Sequence, residues 1–157
     1  MTSKTKYISF DEVVDTYGKM IKVSGGGFAG IKNEGGIRSI LDFVQNDDYY
    51  PTFVDKLNYL VFRFCTGHFF HDGNKRIALT VGSLFLLRNG YVLLCRTFMA
   101  QLEAIIYHVA ASHISQDLLH EIIGCLIDNT DYPESVKLEL MIAMDKEVDV
   151  NESEEEQ

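Results

Sequence analysis

The sequence predicts an all-α fold. Only two prolines, Pro51 and Pro133, interrupt 157 residues. No run of alternating apolar and polar residues is long enough for a sheet. Apolar residues recur instead at i, i+3, i+4 and i+7, the rhythm of a helix with one buried face.

Taken in order, Ser9-Phe10-Asp11-Glu12 is a capping box that opens a first helix running toward Ile21. Ser24 and the glycines Gly25, Gly26 and Gly27 end it in a loop that reaches about Asn33. A second helix takes residues 35–44, with Ile37, Ile40 and Leu41 on one face. Residues 46–50, Asn-Asp-Asp-Tyr-Tyr, form a turn-rich connector, and Pro51 suits the first turn of a third helix. There Phe53, Leu57, Leu60, Val61, Phe64 and Cys65 keep the buried rhythm. A polar loop over 68–74 precedes a fourth helix, 75–88, stopped by Asn89-Gly90. That helix is apolar nearly all round, as a central helix packed on several sides must be. Residues 91–95 read as a short extended segment, and helices over 98–110, 116–127 and 134–144 complete the chain. With no internal repeat and no linker between two cores, residues 1–144 form one domain. Residues 145–157 are an acidic tail, expected to be solvated and disordered.

Net charge is −9, of which the last 13 residues carry −6. An acidic domain is a poor match for a phosphate backbone, which argues against direct nucleic-acid binding. The longest apolar stretch, 77–87, is too short to span a bilayer, and residues 1–6 begin no export signal, so the expected compartment is the cytoplasm. Cys65, Cys95 and Cys125 form no C-x-x-C pair and read as reduced structural thiols. His71, His108, His113 and His120 lack a metal-ligand spacing.

Chemistry concentrates in residues 68–76, His-Phe-Phe-His-Asp-Gly-Asn-Lys-Arg, between two strongly apolar helices. Gly73 allows a tight turn and Asn74 can cap the next helix. The amides at that helix start favour phosphate. Lys75 and Arg76 place two cations at the end of the helix where the dipole opposes them, a conflict that a bound polyphosphate repairs. Asp72 offers a hard oxygen ligand for magnesium beside the cradle. His68 has the side chain whose ordinary pKa suits proton abstraction at neutral pH. Cradle, cations, metal carboxylate and base together specify phosphoryl or nucleotidyl transfer to a hydroxyl. No G-x-x-x-x-G-K-[ST] loop and no kinase signature set is present.

The stretch resembles the Fic/Doc signature H-x-F-x-[DE]-G-N-x-R, and His68, Phe70, Asp72, Gly73, Asn74 and Arg76 match its defined positions. Within the family it is most similar to the death-on-curing (Doc) toxin branch. Lys75 stands where AMP-transferring members have glycine, and Leu79 where they carry a second arginine. Residues 7–12, 30–35, 50–52 and 84–91 also look like Doc-type sequence, and the likeness covers about residues 7–125.

The resemblance implies a compact helical bundle with a central buried helix after the motif loop, and a small β-hairpin flap as an option. It implies His68 as the base, Phe70 as the anchor of the loop, and Asp72 as the magnesium ligand. Gly73 and Asn74 would shape the anion nest, with Lys75 and Arg76 on the phosphates. Residues 46–53, with Asp47, Asp48, Tyr49 and Tyr50, would be the flap that aligns a target, and its acidic pair would favour a basic one. The implied cofactors are ATP, or another nucleoside triphosphate, and Mg2+. The implied partners are a protein substrate such as a translation factor and an antitoxin. Leu79 cannot grip distal phosphates as arginine does, so phosphate transfer to Ser/Thr is favoured. AMP transfer and a non-catalytic partner-binding module remain the alternatives. Residues 30–35 only superficially resemble an autoinhibitory motif, since Gly30 replaces its Ser/Thr.

Overall fold

The computed structural model describes residues 4–23 and 30–148. Seven helices follow one another among them: α1 (Phe10–Val23), α2 (Glu34–Phe43), α3 (Phe53–Thr66), α4 (Asn74–Arg88), α5 (Val92–Ala110), α6 (Gln116–Asp128) and α7 (Glu134–Met144). The all-α expectation holds. The glycine run and the tail beyond residue 148 lie outside the described residues.

Local chemistry sets most of the starts. Ser9 Oγ accepts from the Glu12 amide at 3.2 Å while a Glu12 carboxylate oxygen accepts from the Ser9 amide at 2.8 Å, a capping box for α1. Thr52 and Asp55 form a second box, which makes Thr52 the N-cap of α3 and puts Pro51 one residue before the cap rather than in the first turn. Ser115 caps α6 through the Leu118 amide.

The bundle is built round α4. Ile77, Ala78, Leu79, Val81, Gly82, Phe85 and Leu86 are all buried, so this helix is enclosed on most sides, as its sequence predicted, with Arg76 and Leu87 left exposed. It packs on α3, α5 and α1. A Cβ at Gly82 would lie 2.8 Å from the Phe98 ring and 2.9 Å from Val61 Cγ2, so hydrogen at this position lets α3 and α5 approach from both sides. Stacked rings continue the core past the end of α4, with Phe53 4.9 Å from both Phe85 and Tyr91.

Two sequence expectations change. Residues 92–95 belong to α5, because an all-apolar stretch without alternation packs equally well as a helix turn. The 19 residues of α5 are long and apolar enough to cross a membrane by length and composition alone, yet they pack on α3, α4, α6 and α7. No β-hairpin forms at residues 46–50. The Asn46 carboxamide accepts from the Asp48 amide at 2.9 Å, and the Tyr50 amide donates to the Asn46 carbonyl at 2.9 Å, which coils this stretch into turns. The β-type pairing among the described residues is a single antiparallel bridge between Ile31 and Phe70.

Candidate active site

Residues 67–73 join α3 to α4, and three independent contacts fix them. The segment entering α2 lies alongside: the Lys32 and Asn33 amides donate to the Phe69 carbonyl at 2.7 and 3.0 Å, and the His71 amide donates to the Gly30 carbonyl at 3.0 Å. From α1, Tyr17 stacks on Phe70 with ring centres 4.1 Å apart, and its hydroxyl donates to the Asp72 carbonyl at 2.8 Å. Burial, then the nearby Asp72 carboxylate, raises the Tyr17 pKa, while a Gly30 backbone bond and Arg76 work against the rise. Within the loop, Asn74 closes a ring on Phe70: its Oδ1 accepts from the Phe70 amide at 3.1 Å and its Nδ2 donates to the Phe70 carbonyl at 2.9 Å.

Asn74 is therefore the first residue of α4 and a staple of the loop, not the cap. The N-cap is Gly73, at φ +81°, which L side chains rarely adopt. No side chain caps this helix start and its first turn holds no acidic residue.

Phe69 and Phe70 are buried, while His68 and His71 on either side are exposed. Sinking two consecutive rings into the core requires a sharp backbone reversal, and His68 takes it at φ +53°. A histidine in the left-handed region is uncommon and marks a place where surrounding structure overrides local preference. Asp72 and Arg76 stand one turn apart, with Oδ2 and Nη2 separated by 3.8 Å and the guanidinium side chain 45% exposed. Such an open, long contact leaves Arg76 able to turn onto a phosphate.

Lys75, which the resemblance would put on the phosphates, sits elsewhere. It is 4% exposed, with its ammonium 5.3 Å from the Tyr107 ring centre on α5. Its charge also reaches the Cys65 thiol, whose pKa burial pushes up to about 12 against the lowering effect of that ammonium. Leu79 is likewise a core residue.

The expected flap is tethered. Lys56 is 3% exposed, and its ammonium donates to the Val44 carbonyl at 3.1 Å and to Asp47 Oδ1 at 2.7 Å. Burial opposes that charge, but bonds to Asp47 and Tyr7 outweigh it and raise the Lys56 pKa. Asp47 is thus already paired, whereas Asp48 has no ion pair among the described residues. Tyr50 packs on Tyr59 at 4.3 Å, and burial followed by the Tyr59 neighbour lifts its pKa to about 12. Tyr49 stays exposed against Phe43.

Sequence reasoning missed Tyr17 and the 30–33 segment as supports of the loop. Asp72 offers a single carboxylate, and no group of three or more His, Cys, Asp or Glu side chains gathers for a metal among the described residues. One carboxylate suits magnesium, which takes most of its remaining ligands from phosphate and water. Against known proteins, the model of the Fic/DOC family matches residues 7–86, from the extended N-terminal segment to the last turn of α4. Comparison with curated proteins gives no match.

Proposed function

Because the chain belongs to the Fic/DOC family, whose members are typically transferases that modify proteins with a nucleotide as donor, we propose that it transfers the γ-phosphate of ATP to a Ser or Thr hydroxyl of a protein. The observation that carries this reading is the pinned loop, which holds an exposed imidazole at one end and an uncapped helix start with an open guanidinium at the other.

In this scheme His68 takes the proton of the target hydroxyl as its oxygen attacks the γ-phosphorus. A new O–P bond forms while the bond to the bridging oxygen breaks, ADP leaves, and the imidazolium returns its proton to water. The amides of the first turn of α4 and the Arg76 guanidinium carry the phosphate charge. Asp72 would hold a magnesium ion, which would neutralise part of that charge when bound. Lys75, at 4% exposure, has no direct phosphate contact in this scheme. Phosphate transfer is favoured over AMP transfer because Leu79 is buried, which leaves Arg76 as the guanidinium of the motif. The flap, through Asp48 and Tyr49, would align the target. The Doc likeness points to a translation factor as that target and to an antitoxin as a partner.

The test is incubation of the pure protein and a cell lysate with Mg2+ and ATP labelled at either the γ or the α position. Label transferred to protein from γ alone supports the proposal. Transfer from α alone would establish AMP transfer, and transfer from neither a binding module.

A further inference from the structure

Asp72 and Gly73 share one peptide unit, and its orientation decides two features of the loop at once. The carbonyl belongs to Asp72 and the amide to Gly73, and in a trans peptide the two point in opposite directions. Turning the plane therefore re-aims the Gly73 amide and swings the backbone that carries the Asp72 carboxylate. Gly73 stands at φ +81°, and a glycine gives such a plane little resistance of its own. The plane has to be held from outside.

Tyr17 holds it. The residue lies with Val13 and Ile21 on the buried face of α1 and is 5% exposed. Its ring stacks on Phe70, with centres 4.1 Å apart, and its Cε1 lies 3.7 Å from where a Cβ on Gly73 would stand. The hydroxyl donates to the Asp72 carbonyl at 2.8 Å, and a backbone hydrogen bond from Gly30 meets the same oxygen. The Gly30 carbonyl in turn accepts from the His71 amide at 3.0 Å. One hydroxyl thus ties α1, the segment entering α2 and the Asp72–Gly73 peptide together. Packing needs only the ring and would be served by phenylalanine. A buried hydroxyl costs stability unless it is bonded, and both of these bonds go to backbone beside the site. Burial also raises the Tyr17 pKa more than the Gly30 bond lowers it, so the phenol keeps the proton it donates.

We infer that the Tyr17 hydroxyl is a positioning group for the donor: it fixes the Asp72–Gly73 peptide, and with it the carboxylate that would hold magnesium against the phosphates. The inference rests on the proposed donor chemistry and deepens it by naming the group outside the motif that prepares the site.

Tyr17→Phe keeps the ring and its stack and removes only the hydroxyl. Calorimetric titration of the full chain with ATP, once with Mg2+ and once in EDTA, reads the metal-dependent part of the affinity separately. Wild type is expected to bind ATP more tightly when Mg2+ is present. In Tyr17→Phe that gain should shrink by about three- to tenfold, the scale of one lost hydrogen bond. The affinity in EDTA and the melting temperature should stay near wild type. An Mg2+ gain that is absent from wild type, or equal in wild type and Tyr17→Phe, overturns the positioning role alone. So does a loss of affinity that comes with a melting temperature many degrees lower, since the hydroxyl would then be structural. If wild type binds ATP neither with Mg2+ nor without it, the donor reading of the loop fails and the positioning role falls with it.

Discussion

His68 is held in the left-handed region because its two successors are both buried, so its exposed imidazole is aimed by packing rather than by its own preference. If it is the base, His68→Ala should lower transfer by about 10²-fold or more while the melting temperature stays near wild type. Unchanged turnover in the folded variant would remove it from the mechanism. Arg76 is argued from exposure. Its contact with Asp72 is long and half-open, and such pairs add little stability. Arg76→Ala should leave the fold intact and weaken Mg·ATP binding by roughly 1.5–3 kcal/mol, with Arg76→Lys recovering only part, since lysine keeps the charge without the fork. Calorimetry and melts on both variants decide it: normal affinity in a destabilised Arg76→Ala would make the arginine structural. The motif residues themselves were legible because the spacing His-x-Phe-x-Asp-Gly-Asn-x-Arg is irregular and local. What could not be read were side chains whose environment comes from distant chain. Lys75 needs Tyr107 to explain its burial, and Tyr17 is 55 residues from the carbonyl it holds.

The elements were legible wherever a period or a cap announced them, as in α1, α3 and α6. They were not where neither did: α5 begins at Val92 without a side-chain cap, in a stretch that is apolar throughout. The flap is the element whose order depends most on one group. Its Asp47 is bound by the Lys56 ammonium, which also holds the end of α2 through Val44. Removing Lys56 would strand Val44 and unsettle the core, so the cleaner change is Asp47→Asn, which keeps the shape and weakens the tether. Because Asp47 is itself exposed, the cost to global stability should stay within about 1 kcal/mol. Hydrogen exchange at residues 46–50 should nonetheless accelerate several-fold, since these amides depend on a locally held turn. Protection that is unchanged in Asp47→Asn would show that the tyrosine stack, not the ion pair, orders the flap.

At the scale of the molecule, the groups with shifted pKa values define a pH range in which the bundle is most stable. His108 is buried at the end of α5, with its Nδ1 3.1 Å from that of His113, and burial followed by the His113 charge lowers its pKa below 6.5. A folded state that resists protonation binds fewer protons than the unfolded chain, so stability falls as pH drops below about 6.5. Glu12, lowered chiefly by the Ser9 backbone bond, loses its contribution further down, as pH falls through the carboxylate range. At the other end, burial raises the Cys65 thiol and the Tyr50 hydroxyl to about 12. The unfolded chain ionises these groups first, so stability should also decline above about pH 9. Melting temperatures measured from pH 4 to 11 should therefore trace a plateau between roughly 6.5 and 9 with falls on both sides. His108→Gln keeps a polar side chain beside His113 but has nothing to titrate, so the first fall, between about pH 6.5 and 5, should flatten in that variant. The carboxylate fall below it should remain. An acid limb of the same slope in wild type and His108→Gln would mean that the buried pair accepts a proton without cost.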